Sequence, residues 1–148
     1  LASVVVQGFR FDLKVSAVAG FLLLLVLPWV SGKVQGRIAA GVLSAGDVFV
    51  PKTVILELEW VLRCVADQPE GKVIDCLAHL IALPGVTVED REEIEAALGY
   101  CRKGIDFADA LHLAASKSCS ELLTFDDTGC ARRAKKLRLK PPVQVPTR

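Results

Sequence analysis

Methionine is absent from the 148 residues, there are only two histidines, and no acidic residue follows Asp127. The two histidines, His79 and His112, stand in apolar helical contexts, which favours core or surface histidines over metal ligands. The five cysteines (Cys64, Cys76, Cys101, Cys119 and Cys130) are odd in number and contain no C-x-x-C pair. That pattern argues against a zinc site and against a secreted disulfide scaffold, and points to reduced thiols in a cytoplasmic protein. No glycine-rich phosphate loop occurs, and no internal repeat. A net charge of +1 excludes polyanion binding by bulk charge alone.

What is present is apolar and unevenly charged. Apolar residues make up 52% of the chain, enough for a sizeable core in one domain. Residues 51–130 carry seven basic and fifteen acidic side chains, whereas residues 131–148 carry seven basic ones and no acid. An acidic body with a basic tail fits a metal site beside a phosphate-contacting surface. Solvation of the helices and of the tail explains the same charges more plainly. The run VSAVAGFLLLLVLPWV, residues 15–30, has no charge. It is short for a membrane span, which needs about 20 residues, and it resembles the apolar part of a signal peptide. Three readings stand open: a buried core element, a signal or membrane anchor, and a non-native start, since Leu1 is no initiator. Membrane association is not expected.

Beyond Gly32 the pattern becomes regular. Helices are expected over 33–45, 53–65 with Thr53 as N-cap, 70–83, 90–104, 106–118 and 127–138. Strands are expected at DVFVP, GVTVE and ELLTF, with VQV in the tail as an edge strand. Alternating strands and helices imply an α/β fold with a mainly parallel sheet. The boundaries expected are an atypical apolar segment, 1–33, and one domain, 34–148, with a basic C-terminal tail.

Carboxylates are the candidate chemistry. In the helix 53–65, Val54, Leu58, Val61, Leu62 and Val65 fall on one face at about 100° per residue. Glu57 borders that face, where a charge needs a partner. Glu59 points nearly opposite and has Arg63 at i+4, a solvated pair. Asp106 and Asp109 share a helix face; Asp106 is a good N-cap, and Asp109 lies beside the core side. Asp126 directly follows the strand ELLTF, and ligands collect at the carboxyl ends of such strands. Asp126 or Asp127 is also expected to cap the next helix. Hard oxygen donors of this kind suit Mg²⁺ or Mn²⁺.

Three segments, VPKTVILELEWVLR, GIDFADALHLAASK and ELLTFDDTGCARRAKKL, resemble in order and spacing the PIN domain over roughly residues 34–138. They look most like the VapC-type toxins of bacterial toxin–antitoxin pairs. The resemblance implies a three-layer α/β/α sandwich and a Mg²⁺- or Mn²⁺-dependent endoribonuclease inhibited by a small cognate antitoxin. It implies Glu57, Asp109 and Asp126 as acidic catalytic and metal-site residues, with Asp106 as an auxiliary metal ligand. RNA is the implied substrate, and self-association into a homodimer is left open. The basic helix offers Arg132, Arg133, Lys135 and Lys136 to the RNA backbone. One feature departs from the family: it opens with a strand running into Asp, and residues 1–33 contain only Asp12, in the unmatched context RFDLKV. The alternatives are a PIN-like protein that binds RNA or antitoxin without cleaving, and a membrane-anchored or exported α/β protein.

Overall fold

The computed structural model describes residues 15–16, 41 and 45–146. The helix expected over 33–45, apart from Gly41 and Ala45, and the apolar run 15–30, apart from its first two residues, lie outside them. The chain divides into two compact units, Leu1–Glu89 and Asp90–Arg148. Among the described residues no helix is long and apolar enough to cross a membrane.

The first unit is built on three parallel strands in the order β1–β2–β3: β1 is Val15–Ser16, β2 is Val48–Val50 and β3 is Val86–Val88. Val48 pairs with both Val15 and Val86. β-Branched residues suit this pleated, buried setting, and Val48, Val50, Val86 and Val88 are all buried. The loops entering β2 and β3 touch. Gly46 and Gly85 both have positive φ, and the Val48 amide donates to the Gly85 carbonyl at 2.9 Å. A Cβ on Gly85 would lie 2.6 Å from the Gly46 Cα, so only glycine fits there.

Pro51 ends β2 and opens α1, Lys52–Trp60. Thr53 does not cap this helix as the sequence suggested. Its Lys52 amide donates instead to Glu89 Oε2 at 2.8 Å, a carboxylate brought in from beyond β3. Negative charge at a helix N-terminus is favourable. A π-helical turn, Val61–Val65, continues α1. The buried stripe is Val54, Ile55, Leu58, Glu59 and Leu62. It is rotated by about one residue from the expected face, which has two consequences. Glu59, read from the sequence as solvated, is 4% exposed and receives Arg63 Nε at 2.7 Å; Glu57 is exposed. The π turn lengthens each repeat, so Val65 falls out of phase and is 65% exposed. Helix α2, Glu70–Ala82, buries Val73, Ile74, Leu77, Leu80 and Ile81, the stripe of an amphipathic helix, and packs on α1 and β3.

In the second unit, α3 (Arg91–Cys101) and α4 (Phe107–Ala115) pack against each other. Ala97, Ala110 and Ala114 are buried among Ile94, Leu98, Phe107 and Leu113. Gly104, at φ 90, turns the chain between them, the left-handed position that closes helices. Strands β4 (Leu122–Leu123) and β5 (Val143–Gln144) form a second parallel pair, so the tail segment VQV is a strand. The basic helix expected over 127–138 is a π-helical turn, Asp127–Ala131, followed by α5, Arg132–Lys136. All described strand pairs are parallel, and the class is α/β.

Glu59→Ala removes the carboxylate from a half-exposed arginine, and should lower unfolding stability by about 1–3 kcal/mol. Glu57→Ala, at an exposed position, should stay within about 0.5 kcal/mol. Urea titration of the two variants checks this reversal of the sequence expectation.

Candidate acidic site

The second unit brings three of the four candidate carboxylates into one electrostatic cluster. Asp106 is the N-cap of α4, its Oδ1 accepting from the Ala108 amide at 3.0 Å, as the sequence indicated. Asp109 sits one turn on, in the first turn of α4 and half-buried. Burial pushes its carboxyl above the usual carboxylate range, and the charges of Asp106 and Asp126 push it further; His112 acts in the opposite direction. Asp109 is therefore close enough to Asp106 and to Asp126 to feel the charge of both.

Asp126 follows β4 and is held by backbone. Its Oδ2 accepts from the Cys130 amide at 2.7 Å and its Oδ1 from the Gly129 amide at 2.8 Å. The Thr128 hydroxyl adds a longer bond to Oδ1 at 3.3 Å. These donors lower the Asp126 pKa, the Cys130 amide most and the Gly129 amide next. Its own amide donates to Thr124 Oγ1 at 3.1 Å. A Cβ on Gly129 would collide with the Asp126 carboxylate, so a larger residue there would push the carboxylate off its amide donors. Asp126, rather than Asp127, is the cap, and the same residue is the candidate ligand. A carboxylate has about four acceptor sites; two amides and a hydroxyl leave room for a hydrated cation.

Cys130 lies under this cluster, buried. Its pKa is pushed up to about 11 by burial, with Asp109, Asp126 and Asp106 adding to it. It is a neutral packing thiol whose amide, not its sulfur, serves the site. The sequence marks Gly129 as a cap or turn residue, which the structure bears out, but it does not point to Thr128 or to the Cys130 amide. The D-x-x-G spacing from Asp126 to Gly129 was the available signal, since it is the reach of an N-cap side chain.

The four basic residues are not equivalent. Arg133 Nη1 donates to the Gly104 carbonyl, across the loop that leads into Asp106. This joins the helix after Asp126 to the turn before Asp106. All four are exposed, and Arg133 alone is engaged in this way. Glu57 belongs to the first unit and is exposed on α1.

Among the described residues no three of His, Cys, Asp and Glu form a ready-made metal cage. The donor set nevertheless fits a Mg²⁺-type ion, which keeps several waters and takes only one or two carboxylates. Mutual repulsion at Asp109 is what such a cation would relieve.

These features define an α/β protein with an acidic cluster at the carboxyl end of a strand. The chain belongs to the PIN domain family, whose sequence profile matches residues 25–137. No curated protein matches it significantly. The match begins before the expected residue 34, and residues 25–46 within it contain no acid. PIN domains generally use divalent metal ions and bind RNA, and membership points to a nuclease-type function.

Opposite pKa directions predict opposite stability effects. The raised Asp109 pKa means its ionised form destabilises the fold, with stability fully present below the unfolded value near 3.8 and lost as pH rises through the folded value. Asp109→Asn should therefore raise the melting temperature at pH 7, and the gain should vanish below about pH 4. Asp126 contributes stability above its unfolded pKa and loses it as pH falls through its lowered folded value. Asp126→Asn should lower the melting temperature at pH 7, with the loss shrinking in acid. Thermal melts across pH 3–7 read both signs.

Proposed function

We propose that this chain is a metal-dependent endoribonuclease of the VapC-like toxin type, acting in the cytoplasm on single-stranded RNA and restrained by a small cognate antitoxin. The observation that carries the reading is the gathering of Asp106 and Asp126, each anchored by backbone amides, around Asp109, whose pKa is raised by burial and then by the charges of those two acids. The same reading carries a three-layer α/β/α arrangement for the domain, and a homodimer as its simplest assembly.

Asp109 and Asp126 would hold Mg²⁺ or Mn²⁺, with Asp106 assisting through water. Glu57 enters as a metal-site residue on its motif alone. When bound, the ion supplies an acidified water and neutralises charge on the phosphate oxygens. The chain's own residues fix the geometry: the Gly129 and Cys130 amides orient Asp126, and the α4 N-terminus orients Asp106 and Asp109. Exposed Arg132, Lys135 and Lys136 supply sequence-independent contacts to the RNA backbone.

A second reading is a PIN-like binder that does not cleave. It is favoured by the lack of any acid in matched residues 25–46, where the family's opening Asp has no counterpart. An ion held by fewer carboxylates binds more weakly and orients its water less well.

The test is a Mg²⁺ and Mn²⁺ titration with single-stranded RNA. Cleavage should be slow, abolished by Asp109→Asn, and raised in a version given an Asp-bearing first strand. Metal-independent cleavage that survives Asp109→Asn would sink the nuclease reading. The basic residues are tested by the salt dependence of RNA binding. Arg132→Ala, Lys135→Ala and Lys136→Ala should each flatten the log–log slope by about 0.7. Arg133→Ala should change it less, because its guanidinium is engaged with Gly104.

A further inference from the structure

The face of the β4–β5 sheet beside Asp126 carries exposed apolar surface that the acidic cluster does not use. Burial alternates along β4 and past its end: Leu122 and Thr124 are half-buried, whereas Leu123 is 58% and Phe125 87% exposed. Residues two apart on a strand share a face. Gln144, exposed, is the registered partner of Leu123 on β5. The Thr124 amide donates to the Gln144 carbonyl at 3.0 Å, so the ladder reaches the residue before Phe125. On its other side, the Phe125 carbonyl accepts from the Asp127 amide at 3.1 Å. The ring is thus open to solvent on a backbone pinned from both sides.

We infer that Phe125, with Leu123 and Gln144, is a base-stacking platform that takes an unpaired base of single-stranded RNA next to the phosphate handled at Asp126. This rests on the nuclease reading above and adds a subsite to it. Three observations select the occupant. Phe125 is the immediate neighbour of Asp126, about 3.8 Å away between Cα atoms, so its ligand adjoins the acidic cluster. Exposed cations follow on α5, as a phosphate backbone requires. Two apolar side chains are far too few for a stable protein interface of roughly 1,200 Å² or more, but they match one or two bases. A flat ring accepts the face of any unstacked base, and the Gln144 amide can donate to and accept from a base edge. A duplex, whose base faces are already stacked, is not accommodated.

The experiment measures binding of the full chain to a labelled single-stranded RNA decamer in chelator, where cleavage is off, for wild type, Phe125→Ala, Phe125→Leu and Phe125→Tyr. Phe125→Ala and Phe125→Leu should weaken binding about tenfold or more, and Phe125→Tyr should bind like wild type. An RNA with one abasic position should cost wild type affinity but not Phe125→Ala, and a duplex of the same sequence should be insensitive to all three substitutions. Leucine binding as well as phenylalanine would mean a generic apolar contact, as for a protein partner, and would overturn the platform. So would Phe125→Ala binding like wild type; if Asp109→Asn still abolished metal-dependent cleavage, the nuclease reading would survive that loss. Wild type binding no single-stranded RNA at all would remove both.

Discussion

Like charge gathered in one place must be held there by something other than charge. In the second unit the holders are backbone amides. Asp126 is gripped by the Gly129 and Cys130 N–H groups, and Asp106 by that of Ala108. Asp109 is half-buried, and burial, with the charges of Asp106 and Asp126 adding to it, raises its pKa. The difference is instructive. The Asp126 anion is stabilised by the fold itself, whereas Asp109 is left to be stabilised by whatever binds.

That arrangement depends on small local features. Gly129 leaves space for the Asp126 carboxylate, Gly104 lets the chain turn into Asp106, and Arg133 links the two regions through the Gly104 carbonyl. Cys130 fills the space beneath as a neutral thiol. A basic residue counted from the sequence as an RNA contact thus has a structural occupation, although it is exposed like Arg132, Lys135 and Lys136. In the first unit the comparable constraint is the contact between Gly46 and Gly85, which lets β2 and β3 start side by side. Glu89 then closes the circuit by capping α1 from beyond β3.

Much of this was legible in the chain. Strand segments at Val48–Val50, Val86–Val88 and Val143–Gln144, helices over Glu70–Ala82 and Arg91–Cys101, and the cap at Asp106 follow from period, β-branching and turn residues. The helix carrying Glu57 and Glu59 was misread because packing buries Ile55 together with Val54, Leu58 and Leu62, which turns the buried face toward Glu59, and the π turn after Trp60 then leaves Val65 exposed. Once the buried stripe shifts by a residue, the carboxylate thought to be solvated becomes the buried one.

Sequence alone determined the order and type of the elements and which residue types carry charge, because propensity, periodicity and capping act over a few neighbouring residues. It also carried the PIN resemblance, through three segments in order. Only the tertiary structure decided which acids interact, that Arg133 reaches a carbonyl 29 positions away, and that Phe125 stands open to solvent beside Asp126. Those outcomes depend on distances between residues far apart in the chain, and on the exact phase of each helix, which no local pattern fixes.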